Sequence, residues 1–128
     1  MATYKQSDKL KALADKVIKA NERFQHLDCP DCRIAYQYSS DAKTSKDRLV
    51  YADTEVVKEK LKGLIPYDFI MTFYEPNCQP LDEEKMERLM FHELCHVGFK
   101  GLGKYSIIPH DVEDFRVVIE AWGLDWIK

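Results

Sequence analysis

The sequence predicts an α+β fold in which a small sheet of three to four strands packs against helices. Apolar residues recur at helical spacing in three separated segments, and strand-like patterns lie between those segments. The chain has 128 residues, of which 45% are hydrophobic and 32% are charged. Since that length is enough for one buried core, we expect residues 1–128 to form a single domain.

The first predicted element is a helix from Ser7 to Phe24. Ser7 is a suitable N-cap, and Asp8 places a negative charge at the end of the helix that the helix dipole makes positive. Its buried stripe is predicted from four apolar residues at helical spacing, which are Leu10, Leu13, Val17 and Phe24.

Two strand-like segments and a short helix are predicted next. Alternating side chains indicate a half-buried strand over residues 33–38, and the polar run 39–47 that follows indicates a surface loop. Residues 48–52 are a weaker strand candidate. Thr54 has the pattern of an N-cap for a short helix carrying Val56, Val57 and Leu61, with Gly63 and Pro66 ending it.

The remaining elements frame the second half of the chain. Residues 68–74 are apolar at nearly every position, which favours a central strand buried on both faces. A helix is predicted from Asp82 to Val97 and is expected to end at Gly98. A glycine-rich segment then holds a short strand over 105–108, and a last helix is predicted from about residue 110 to Trp122.

Charge and hydropathy exclude several classes of protein. The 19 Lys and Arg residues against 22 Asp and Glu residues give a net charge of −3, which argues against a nucleic-acid partner. No apolar run approaches the roughly 20 residues of a membrane span, and the N-terminal residues lack the pattern of a signal peptide. We therefore expect a cytoplasmic protein that binds neither membrane nor nucleic acid.

The predicted helix 82–97 carries an H-E-x-x-H motif, formed by His92, Glu93 and His96. Residues four apart lie on one helix face, so both imidazoles can bind one metal ion, with nitrogens about 2.0–2.1 Å from a zinc. Glu93 lies about 100° around the helix from His92, where it can reach a water on the metal. This is the geometry of a general base in zinc-dependent hydrolysis.

A catalytic zinc usually has three protein ligands, so the chain must supply a third. His110 is the first candidate, because it follows the glycine-rich segment at the start of the last predicted helix. Glu113 is the second candidate, since a carboxylate on a following helix is the other common arrangement. A third interpretation is that His110 only caps that helix.

The segment His92-Glu93-Leu94-Cys95-His96, followed by His110-Asp111-Val112-Glu113-Asp114-Phe115, resembles the putative phage metallopeptidase family. The similarity is strongest over residues 67–126. It implies a minimal zincin-like metallopeptidase domain encoded by a phage or prophage. It also implies a Zn²⁺ site made by His92, His96 and His110, with Glu93 as the catalytic acid/base. It supplies no substrate; the expectation of a peptide or protein substrate comes from the chemistry of zinc-dependent hydrolysis.

Cys29 and Cys32 form a C-x-x-C pair that this resemblance does not explain. The favoured interpretation is an ordinary turn. A structural zinc site would need Cys78, Cys95 or His26 nearby, and a redox role would need a helix N-terminus after the first cysteine.

Two functions follow from these patterns. The first is a zinc-dependent hydrolase, specifically a metallopeptidase. The alternative is a non-catalytic binding or regulatory protein in which the metal only stabilises the fold.

Overall fold

The structure is a computed structural model, and it describes residues 2–110. The strands are β1 (Tyr4–Gln6), β2 (Ile34–Ser39), β3 (Thr44–Ser45), β4 (Arg48–Leu49), β5 (Ala52–Val56), β6 (Phe69–Tyr74), β7 (Val97–Phe99) and β8 (Tyr105–Ile107). The α-helices are α1 (Asp8–Ala20), α2 (Glu75–Cys78) and α3 (Glu83–Cys95), and 3-10 helices span Glu22–Leu27 and Glu59–Leu61. The predicted α+β class is confirmed.

Helix α1 begins at the predicted residue and ends earlier than predicted. The Ser7 hydroxyl accepts a hydrogen bond from the Leu10 amide at 3.1 Å, as expected of an N-cap. The α-helix ends at Ala20, and Phe24 lies in the following 3-10 helix. Phe24 is still buried, with its ring edge-on to Phe91 at a centroid distance of 4.9 Å.

The main sheet has four strands in the order β1-β2-β6-β5. Strands β2 and β6 are parallel, and the other pairs are antiparallel. The predicted central position of β6 is confirmed: Phe69, Met71 and Phe73 are fully buried on one face, and Thr72 is 3% exposed on the other. Strand β5 forms one edge of the sheet and pairs with β6, the most buried strand of the sheet.

The helix predicted to begin at Thr54 is wrong. Residues Ala52–Val56 form β5 and pair with β6, so that Thr54 lies opposite Met71. β-Branched side chains such as Thr54 and Val56 fit a pleated surface, and pairing with β6 overrides the local cap pattern. Only the short 3-10 helix Glu59–Leu61 remains of the predicted helix.

Helix α3 confirms the predicted start, since the Asp82 carboxylate accepts a hydrogen bond from the Lys85 amide at 2.8 Å. The prediction that Gly98 ends this helix is wrong. The helix ends at Cys95, and Gly98 lies in β7, paired with Ser106 of β8. The predicted strand over 105–108 is observed as β8.

The core joins α1 and α3 to one face of the sheet. Apolar residues of both helices form one cluster with the inward side chains of β6; the helix residues are Leu10, Ala14, Val17, Ile18, Leu89, Met90, Phe91 and Leu94. The predicted last helix lies outside the described residues. Across residues 2–110, no helix combines the length and the apolar character that crossing a membrane requires.

Candidate metal centre

Two histidines of the candidate centre lie at the C-terminal end of α3. His92 is in the last turn, and His96 occupies the C-cap position. Their ring centroids are 5.2 Å apart. The four-residue spacing therefore places both imidazoles side by side, as the sequence predicts.

The β7–β8 hairpin returns the chain to these histidines. β7 begins directly after His96, β8 pairs with it, and the Ile108 amide donates to the His96 carbonyl at 2.8 Å. His110 follows two residues later. Its Nε2 lies 3.0 Å from His92 Nε2, and its ring centroid lies 4.6 Å from that of His96. One ligand-type nitrogen from each of the three histidines lies within 4.8 Å of the others.

The separation between the nitrogens of His92 and His110 is close to the spacing of two ligands on one metal ion. Two nitrogens bound tetrahedrally at about 2.0–2.1 Å from zinc are roughly 3.3–3.4 Å apart. The observed 3.0 Å between His92 and His110 is a few tenths of an ångström shorter. Three imidazoles are also a donor set that suits divalent transition metals, zinc among them.

A backbone carbonyl orients the second histidine of the motif. The Ile108 carbonyl lies 2.7 Å from Nδ1 of His96, and a carbonyl can only accept. Nδ1 of His96 therefore carries the hydrogen, and in the neutral imidazole Nε2 keeps the lone pair that a metal would need. Metal-binding histidines typically make this kind of hydrogen bond through their second nitrogen.

Glu93 lies beside the histidines and is buried, with 3% of its surface exposed. Its Oε2 is 3.9 Å from His92 Nε2, and its Oε1 accepts a hydrogen bond from the Thr54 hydroxyl at 2.8 Å. The sequence predicts the carboxylate but not its partner, because Thr54 is 39 residues away along the chain. The sequence signal that could have revealed this contact is the strand pattern of residues 52–56. A strand there places the Thr54 side chain on the face of the sheet that packs against α3.

Local contacts hold the hairpin that carries His110. A Cβ at Gly98 would lie 2.4 Å from the Ser106 hydroxyl oxygen and 2.7 Å from its carbonyl oxygen, so only glycine lets the strands approach this closely.

The turn and the second strand of the hairpin are also held locally. Gly101 and Gly103 have positive φ angles of 129° and 81° in the turn. Tyr105 donates from its hydroxyl to the Asp31 carbonyl at 2.6 Å. These contacts fix the path of β8 toward the centre.

The C-x-x-C pair forms a turn. The Cys32 amide donates to the Cys29 carbonyl at 3.0 Å, and Cys32 is buried. Burial raises the pKa of the Cys32 thiol to about 12, which disfavours a reactive thiolate. Among residues 2–110, only His92, His96 and His110 form a group of three or more side chains placed to bind one metal ion. The cysteines therefore do not form a second metal site within the part of the chain that the structure describes.

Glu113, the second candidate for the third metal ligand, lies outside the described residues.

Two comparisons with known proteins found nothing: no curated protein and no solved structure matches the chain significantly. A family model described as putative phage metallopeptidase matches residues 2–128, which is nearly the full chain. The chain therefore belongs to the putative phage metallopeptidase family.

Proposed function

We propose that this protein is a zinc-dependent peptidase in which His92, His96 and His110 hold the metal and Glu93 is the general base. The observation that carries the proposal is the convergence of three histidine nitrogens within 4.8 Å beside a buried carboxylate. A metal ion held by the three histidines would give these four side chains a shared chemical role, with Glu93 acting on water beside the metal. We also propose that the whole chain, residues 1–128, is one zincin-like catalytic domain.

Zinc would supply Lewis acidity, which lowers the pKa of water toward about 7 and polarises carbonyl groups. Glu93 takes a proton from water as the water oxygen bonds to the peptide carbonyl carbon. The C–N bond then breaks, and Glu93 passes that proton to the leaving amine. Burial of Glu93 strengthens its electrostatic interactions with the reacting groups, because little solvent screens them.

The substrate we propose is an extended peptide or protein segment. Strand β5 lies at an edge of the four-stranded sheet and carries Thr54, which contacts Glu93. A peptide that pairs with a sheet edge presents its backbone carbonyls in a regular row. Pairing along β5 would bring one of these carbonyls next to Glu93.

The test compares zinc-loaded wild type with Glu93→Gln and Glu83→Gln on a mixed library of quenched fluorescent peptides. Glu83 is an exposed glutamate in the first turn of α3, so it serves as the matched control. We expect Glu93→Gln to keep its zinc and lose about 10²–10⁴-fold in rate. Wild-type turnover by Glu93→Gln would contradict the base assignment. Tight zinc binding by four protein ligands without any hydrolysis would instead support the metal-stabilised binding protein.

A further inference from the structure

The two carboxylate oxygens of Glu93 face different partners. Oε1 accepts the hydrogen bond from Thr54 at 2.8 Å, and Oε2 lies on the side of His92, 3.9 Å from its Nε2. The terminal torsion of a glutamate is broad, so a carboxylate without such a contact samples many orientations. The hydrogen bond from the Thr54 hydroxyl favours the orientation in which Oε1 faces β5.

We propose that Thr54 is a positioning residue that holds Glu93 in the orientation needed for proton transfer. This inference rests on the proposed function, because it assigns a role in the same site. Thr54 binds Oε1 and thereby keeps Oε2 turned toward the histidines, where the reacting water must lie. Oε2 is then the oxygen that takes the proton.

The fold gives Thr54 this orientation. Thr54 lies opposite the fully buried Met71, on the face of the sheet that packs against the helices. Side chains alternate along a strand, so Asp53 points to the other face, where it accepts hydrogen bonds from Lys43 and Tyr74, each at 2.7 Å. The χ1 angle of a β-branched residue is stiff, so the Thr54 hydroxyl is held in place before substrate binds.

Thr54 also connects the sheet edge to the general base. The residue lies in the middle of β5, the strand along which we propose that the peptide pairs. Within residues 2–110, the Thr54 hydroxyl hydrogen-bonds to Glu93 and to none of the three histidines. Removing the hydroxyl should therefore leave metal binding intact. The expected signature is a loss in kcat at unchanged zinc affinity.

The test uses Thr54→Val, which is nearly isosteric but lacks the hydroxyl, and Thr54→Ser, which restores it. Thr72→Val is the control, because Thr72 is a buried threonine of the adjacent strand β6 whose hydroxyl bonds to Gln37 instead. Thermal melting and zinc titration verify that each variant folds and binds metal as wild type does. The readouts are kcat and KM on a peptide that wild type cleaves, and the Kd for acetohydroxamate in the zinc-loaded protein. A hydroxamate binds zinc and gives its proton to a neighbouring carboxylate, so its affinity reports on Glu93 without turnover.

We expect Thr54→Val to lose about 10–100-fold in kcat with KM changed less than about 3-fold, and to bind acetohydroxamate about 10-fold more weakly. Thr54→Ser should recover both to within about 3-fold of wild type. Wild-type kcat or wild-type hydroxamate affinity in Thr54→Val would overturn the proposal, as would equal losses in the serine variant. If wild type cleaves no peptide, the proposed function fails, and the hydroxamate comparison still decides the role of Thr54. No hydroxamate binding by zinc-loaded wild type would overturn both.

Discussion

His96 and Ile108 are joined by two hydrogen bonds, one through each backbone group of Ile108. The Ile108 amide donates to the His96 carbonyl at 2.8 Å, and Nδ1 of His96 donates to the Ile108 carbonyl at 2.7 Å. The same contact thus closes the β7–β8 hairpin and sets the imidazole tautomer of the motif's second histidine. Hairpin stability and metal affinity should therefore change together.

The first prediction concerns the close approach of β7 to β8. Gly98→Ala should destabilise the fold by about 1–3 kcal/mol and weaken zinc binding, because the new Cβ would meet Ser106 at 2.4 Å. Urea denaturation of the metal-free protein and competitive zinc titration measure the two effects. Gly63→Ala is the control, since a Cβ there meets nothing within 4 Å. Unchanged zinc affinity in Gly98→Ala would show that the hairpin does not position the centre.

The second prediction concerns the anchor of β8. The ring of Tyr105 stacks on Phe99 with centroids 5.6 Å apart, and the Lys62 ammonium lies 3.7 Å from its centroid. Tyr105→Phe keeps the ring and removes only the hydrogen bond to Asp31. We expect a loss of about 0.5–1.5 kcal/mol in the free energy of unfolding, measured by urea denaturation.

The control for this anchor is Tyr4→Phe, because Tyr4 is 60% exposed. Its free energy of unfolding should stay within about 0.5 kcal/mol of wild type. Equal stability of Tyr105→Phe and wild type would contradict the assigned anchor.

The third prediction concerns pH. Asp68 is 1% exposed; burial raises its pKa, but hydrogen bonds from Arg33 and Lys62 outweigh burial and leave the pKa below its ordinary value. Because the folded pKa lies below the unfolded value of about 3.9, this stabilisation is present above about pH 4. It should be lost as the pH falls from there through the folded pKa.

Chemical denaturation between about pH 2 and pH 7 measures this effect. Asp68→Asn should cost about 1–3 kcal/mol at pH 7 and flatten the acid limb of the stability curve. Asp41→Asn, at an exposed position, should retain that limb. An Asp68→Asn protein as acid-sensitive as wild type would contradict the assignment.

The sequence predicts those parts of the fold that short-range patterns determine. Both N-caps, Ser7 and Asp82, are in the predicted places, because a cap depends on residues within one turn. The apolar run 68–74 is the central strand, since burial on both faces leaves a continuous apolar pattern. The metal motif is local for the same reason, and it places His92 and His96 side by side.

The parts that the sequence does not predict depend on pairing between distant segments. Thr54 has the local pattern of a cap, yet pairing with β6 makes it a strand residue and turns its hydroxyl to Glu93. Gly98 has the pattern of a helix end, yet it lies in β7, where the absence of a side chain lets Ser106 of β8 pack closely against it. Strand β1 is also unpredicted, because its three residues are exposed and carry no apolar pattern.

In the proposed metal centre, His110 is the third ligand beside His92 and His96. The most direct measurement is the zinc content and zinc affinity of wild type, His110→Ala and His26→Ala, by elemental analysis and competitive titration. His26 is an exposed histidine of the 3-10 helix after α1, so it controls for non-specific binding. We predict one zinc per wild-type and His26→Ala chain and an affinity at least about 10-fold lower in His110→Ala. Equal zinc content and affinity in wild type and His110→Ala would show that His110 is not a ligand and would overturn the three-histidine centre.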